Sequence, residues 1–198
     1  RPGLLMVGRS KPARPVSLFL DANVLYSAGC RDLLIEASLE GLCRCLWSLE
    51  VLAEFKAALL RTRPDLKLSQ IQRLFDLLAF ACPDAMQRPR SADLIALPPM
   101  DDPADAHVLL GAYESSAEII ITFNLRHFPR RLLGRFGLLA MTPDQWLCSV
   151  AKPAPAVMIE IAERCRSRLI RPPLSRADHL EALRRSGLPR FAAFLTSR

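Results

Sequence analysis

The chain has 198 residues, 51% hydrophobic and 24% charged, which suits one domain of ordinary size with an appendage and excludes disorder. No apolar run approaches the roughly 18 to 20 uninterrupted residues that a bilayer crossing needs, so a soluble globular protein is expected. The net charge of +7 is uneven: residues 1–16 carry +4, residues 17–150 carry −3 and residues 151–198 carry +6.

Residues 1–15 lack periodicity and read as a flexible lead-in without the features of a secretory signal. Val16 to Leu20 is a short apolar run that stops at Asp21-Ala22-Asn23, the pattern of a buried strand delivering polar groups at its C-terminal tip. A helical pattern follows from Arg31 to Glu40, then a strand at Cys43 to Trp47, then a helix capped by Ser48 that runs to about Arg61. Ser69 is the expected cap of another amphipathic helix, with Ile71, Leu74, Phe75, Leu77 and Leu78 on one face. Residues 82–100 read as a loop rich in proline and charge, with a possible strand at Leu94 to Leu97.

Asp102-Pro103-Ala104-Asp105 opens the next helix, Ile119 to Phe123 is the most strand-like run, and Gly137 to Met141 is the last predicted strand. Thr142-Pro143-Asp144 starts a helix through Trp146. Beyond Val150 the pattern is purely helical, over about Ala156 to Leu169, from Ser175 to Gly187, and Phe191 to Leu195. Short apolar strands alternating with amphipathic helices predict an α/β fold whose parallel sheet is covered on both faces, over residues 16–150, with a small helical extension over 151–198. That extension is expected to dock on the body or on a partner. The six cysteines form no C-x-x-C pair and no zinc spacing, so reduced thiols in a cytoplasmic protein are expected, with Cys43 and Cys45 as buried small hydrophobes.

In a doubly wound sheet, polar groups at the C-terminal strand ends gather in one crevice. Asp21 and Asn23 follow the first strand, Asn124 follows the strand ending at Phe123, Asp102 and Asp105 open the preceding helix, and Glu54 lies on the helix after the second strand. Carboxylates gathered this way suit Mg²⁺ or Mn²⁺, and such a cation can activate water against a phosphodiester. Blander readings stand beside this one. Asp102 and Asp105 also fit a helix cap and a dipole-favoured first-turn acid, Glu54 fits a solvated helix surface, and His107 and His127 fit surface or supporting positions. Asp21 is harder to dismiss, because an acid ending an apolar strand needs a partner.

The blocks Phe19-Leu20-Asp21-Ala22-Asn23-Val24-Leu25, Trp47-Ser48-Leu49-Glu50-Val51-Leu52-Ala53-Glu54, Asp102 to Leu109 and Ile121-Thr122-Phe123-Asn124-Leu125-Arg126-His127-Phe128 together resemble PIN-domain ribonucleases. Within them the chain is similar to VapC-type toxins of bacterial type II toxin-antitoxin systems, in a longer subgroup with a helical C-terminal extension. The resemblance implies a PIN-like parallel sheet and a site holding Mg²⁺ or Mn²⁺, with Asp21 and Asp105 on the metal and Glu54 and Asn124 completing the catalytic set through metal-bound waters or a second ion. Thr122, Asn23 and Asp102 would support them. Asn124 falls where many relatives carry an aspartate, and His127 where close relatives with Asn often place one.

A metal-activated water would then attack phosphorus in line, leaving a 5′-phosphate and a 3′-hydroxyl. The implied partners are an RNA substrate, a cognate antitoxin and a second copy in a homodimer. Arg31 and Arg126 are candidate RNA-phosphate contacts or ordinary ion-pair members, and the Arg-rich ends are the expected source of attraction to RNA. A catalytically weakened PIN-like module that binds RNA or protein is the competing reading. A haloacid dehalogenase-type phosphatase fails, since that chemistry needs an aspartate where Asn23 stands.

Overall fold

A computed structural model describes residues 14–87, 102–170 and 173–197. Its centre is the strand Val16–Leu20 (β1), followed by a short helix Ala22–Tyr26 (α1), the helix Ala28–Leu39 (α2), the strand Cys43–Ser48 (β2), and the helices Leu49–Thr62 (α3) and Leu68–Ala81 (α4). The chain continues through Met86–Gln87 (β3), Ala106–Glu114 (α5), Ile119–Ile121 (β4), Arg130–Leu133 (α6), Leu139–Met141 (β5) and Pro143–Ala151 (α7). Three helices close it: Pro155–Ser167 (α8), Arg176–Arg185 (α9) and Pro189–Thr196 (α10).

The five strands are all parallel, in the order β3-β2-β1-β4-β5. Helices cover both faces, as the alternation of short apolar strands with amphipathic helices predicts. Successive side chains of a strand face opposite sides. On one side Val16 and Leu18 are in register with Cys43 and Cys45, whose thiols approach the Leu34 carbonyl of α2 at 3.9 and 3.5 Å. On the other side α5 crosses Phe19 so closely that a Cβ on Gly111 would lie 2.5 Å from the ring. Leu18, Phe19, Leu20, Leu46, Ile120 and Ile121 are fully buried between these layers.

From β1 the sheet grows first through β2 and β3, then on the opposite side through β4 and β5. The order therefore reverses between β1 and β4, and the crevice beyond their C-terminal ends is where doubly wound sheets bind ligands. Asp21 leaves β1 there and Thr122 leaves β4 there.

Several elements begin or end away from their predicted limits, for local reasons. The helix α4 starts at Leu68 rather than behind Ser69, because Gln70 Oε1 accepts the Lys67 N–H at 2.8 Å and fixes the first turn two residues earlier than a Ser69 cap would. Strand β4 stops at Ile121, since the Thr122 hydroxyl accepts the Asn124 N–H at 3.0 Å and turns the chain. Strand β5 starts at Leu139, after Gly137 takes a φ of +67°. The caps at Ser48 and Thr142 form as expected, the second as a full capping box with Gln145. The expected strand at Leu94 to Leu97 lies outside the described residues. Among the described residues no helix is long and apolar enough to cross a membrane.

The C-terminal helices pack on the body. Glu36, 4% exposed on α2, pairs with Arg164 Nε of α8 at 3.1 Å and with Arg168, while Arg164 Nη2 reaches Glu40 at 2.6 Å. Buried Asp144 of α7 accepts the Arg190 and Phe191 N–H groups at 3.1 and 2.8 Å, capping α10 from another helix. Arg164 and Arg168 meet carboxylates of the body, Glu36 and Glu40, while Arg166, Arg184 and Arg185 pair with Glu163 and Glu181 inside the extension. Asp144→Ala strips two donors of their acceptor and should lower unfolding stability by about 1–2 kcal/mol, read by urea titration.

Candidate functional site: an acidic crevice at the strand ends

Asp21 ends β1, only 3% exposed, as the cap of α1. Its Oδ2 accepts from the Thr122 hydroxyl at 2.6 Å and from Asn23 Nδ2 at 2.7 Å, and its Oδ1 takes the Asn23 N–H at 3.4 Å. Asn23 Oδ1 in turn accepts the Phe123 N–H at 3.3 Å. Two adjacent strand ends are thus tied through one carboxylate. Burial pushes the Asp21 carboxyl above its ordinary pKa, the Thr122 and Asn23 bonds oppose this, and the nearby Asp105 charge adds to it.

Asp105 ends a 3₁₀ turn, Pro103–Asp105, that Asp102 caps by accepting the Ala104 N–H at 2.9 Å. His127 Nδ1 lies 2.5 Å from Asp105 Oδ2, while Arg126 Nε donates to His127 Nε2 at 2.9 Å. Candidate ligand atoms of Asp102, Asp105 and His127 all lie within 4.8 Å of one another. Glu54, on the exposed side of α3, feels both Asp21 and Asp105. Burial and the Asp21 charge push its carboxyl upward, with Asp105 adding and His107 opposing. His107 Nδ1 faces the Ala104 carbonyl at 2.7 Å, and its buried Nε2 lies 3.3 Å from Glu54 without hydrogen-bond alignment.

The structure therefore brings Asp21, Glu54 and Asp105 into mutual electrostatic range, with Asn23 and Thr122 on Asp21 and Asp102 beside Asp105. Asn124 is exposed at the start of the 3₁₀ turn Leu125–His127, its backbone N–H given to Thr122. Of the two roles expected for Arg31, RNA-phosphate contact or ion-pair member, the structure shows an ion pair with Asp32. Arg31 is 9% exposed, donates to the Leu25 carbonyl at 2.9 Å and to Asp32 at 3.2 Å, and lies over the Phe55 ring, so its charge serves the fold. The two histidines hold closer positions than their isolated occurrence in the sequence suggests. Only the spacing of His107 two residues after Asp105, and of His127 three after Asn124, hints at it.

Two comparisons bear on this arrangement. A family model described as "PIN domain" matches residues 17–126, more than half of the chain. The chain belongs to the PIN domain family. A second model, "VapC50 C-terminal domain", matches residues 143–197. The chain is 33% identical over 93 residues to the Mycobacterium tuberculosis (strain ATCC 25618 / H37Rv) protein named "Putative ribonuclease VapC50", covering 45% of this chain and 52% of that protein. The chain thus spans about half the length of the curated relative it matches. No solved structure matches it. The acids that the crevice collects, Asp21, Glu54 and Asp105, all fall within the region matched by the PIN-domain model.

A carboxyl whose pKa rises on folding binds its proton more tightly in the native state, so its ionised form costs stability at neutral pH and that cost fades as pH falls through the raised value and below the ordinary one. In metal-free buffer Asp21→Asn should therefore melt higher than the parent at pH 7, and the gap should close on acidification toward the usual carboxylate range.

Proposed function

We propose that this chain is a metal-dependent endoribonuclease of the VapC toxin type, acting on RNA phosphodiester bonds. The observation that carries the reading is the mutual exposure of Asp21, Glu54 and Asp105 to one another's charge at the point where the strand order reverses. Burial raises both the Asp21 and the Glu54 carboxyl, and the Asp105 charge adds to each, as does Asp21 to Glu54. A divalent cation would remove that repulsion, and the hard oxygen donors suit Mg²⁺ or Mn²⁺. The fit extends to Asp102 and His127, whose donor atoms cluster with Asp105. Asp21 and Asp105 would hold the ion, with Glu54 and Asn124 around it.

When bound, the cation would supply charge neutralisation for a phosphodiester oxygen and acidify a water molecule. The chain's own residues do the rest. Thr122 and Asn23 keep the Asp21 carboxylate in one orientation. His127, held by Arg126, lies on Asp105 Oδ2. Glu54, solvent-facing and raised in pKa, is suited to take a proton from the attacking water. Exposed Arg126 is the basic side chain beside this crevice and the proposed contact for an RNA phosphate.

The biological setting belongs to the same proposal: a cytoplasmic toxin, a homodimer, silenced by a cognate antitoxin. So does the division into a PIN body over 16–150 and an extension over 151–198. The C-terminal family match, which begins at residue 143, would move α7 into the second unit.

The test is cleavage of a pool of structured RNAs by the purified chain with Mn²⁺. Fragments bearing 5′-phosphates are expected, and none with the Asp21→Asn, Asp105→Asn double variant. Equal fragment yields from parent and double variant would sink the nuclease reading and leave an RNA- or protein-binding module.

A further inference from the structure

The turn between α9 and α10 sits against the residue that links Thr122 to Asn124. Gly187, at φ +83°, approaches the Phe123 ring so closely that a Cβ there would stand 2.7 Å from Cε1 and 3.3 Å from Cζ. Its neighbours fix the turn. The Leu188 N–H bonds to the Leu183 carbonyl at 3.0 Å, Leu188 is fully buried, and the Cys30 thiol of α2 approaches the Ser186 carbonyl at 3.2 Å. Asp144 anchors the next two N–H groups, at Arg190 and Phe191. The turn is held from three sides before it meets the ring.

Phe123 is equally constrained on its other flank. Its backbone N–H is given to Asn23, and both flanking residues are engaged: the Thr122 hydroxyl donates to Asp21 Oδ2 at 2.6 Å and accepts the Asn124 N–H at 3.0 Å. The Phe123 ring is therefore one side chain away from the backbone that orients Asp21, and a group added at Gly187 presses on it there. Close-packed interiors transmit such displacements rather than absorbing them.

We propose that the C-terminal extension is a working part of the acidic site, with Gly187 and Phe123 as positioning residues that hold Thr122, Asn23 and through them Asp21. The extension then does more than attach to the body: it sets the geometry of the ligand that ends β1. The kinetic part of this proposal rests on the nuclease reading; the geometric part does not.

The experiment uses the full chain. Gly187→Ala adds a methyl where the ring stands and should weaken Mn²⁺ binding by calorimetry, and lower kcat for RNA, each by about tenfold while KM holds. Adding Phe123→Leu removes the crowded ring atoms while keeping an apolar side chain against the turn, and should restore part of both, although the left-handed backbone strain at 187 is unchanged. That recovery separates positioning from general destabilisation. Should Gly187→Ala fail to fold, Phe123→Ala, which withdraws the ring, should still weaken Mn²⁺ binding and shift the Asn23 and Asn124 amide resonances. A folded Gly187→Ala with parental Mn²⁺ affinity and unshifted amides overturns the proposal, and so does a double variant as impaired as the single one. If the parent itself neither binds Mn²⁺ nor cuts RNA, the nuclease reading has failed, and the amide shifts alone decide whether the turn positions Asp21.

Discussion

A carboxylate buried at the tip of the central strand is the constraint on which the rest depends. Leaving Asp21 without partners in that position would cost several kcal/mol, so the fold must bring donors to it. It does so from two directions, with Asn23 from its own chain two residues on and Thr122 from the end of the neighbouring strand. The parallel pairing of β1 with β4, Leu20 opposite Ile121, is what delivers Thr122 to that place. Register and site are one fact. A slip by one residue would put Thr122 on the other face of the sheet and leave the acid unpaired.

Around this fixed acid the crevice gathers charge that its own fold does not neutralise. Glu54 and Asp105 approach from α3 and from the turn before α5, and the basic groups that meet them are histidines rather than lysines or arginines. An imidazole, unlike a guanidinium, carries no permanent charge. The arginine closest to this set, Arg126, acts on Asp105 through the ring of His127. Such a site repels RNA until cations occupy it, which gives the body's acidity and its proposed metal dependence a common cause.

The extension enters this picture in two ways. Two of its arginines, Arg164 and Arg168, face Glu36 and Glu40, so part of the positive charge of residues 151–198 serves docking. Its last turn reaches the back of the crevice at Phe123. A body whose PIN-domain match ends at residue 126 and a tail whose match starts at residue 143 are therefore mechanically continuous at the site.

Much of this was legible in the sequence because it is local. Apolar runs of strand length, Ser48 and Thr142 as caps, and Asp21 ending a hydrophobic strand all follow from periods and neighbours a few residues apart. The resemblance to PIN domains reached Glu54, which patterning alone assigns to a solvated helix face. What sequence could not supply are pairings across long separations. Asp105 with His127, Glu54 with His107, Arg31 turned inward onto Leu25, Glu36 between two arginines of α8 and its end, and Gly187 against Phe123 each depend on how helices are placed over the sheet. A residue's type determines what it can bind; only the packed fold decides which partner lies within 3 Å, because hydrogen bonds and close contacts depend on distances that no sequence period encodes.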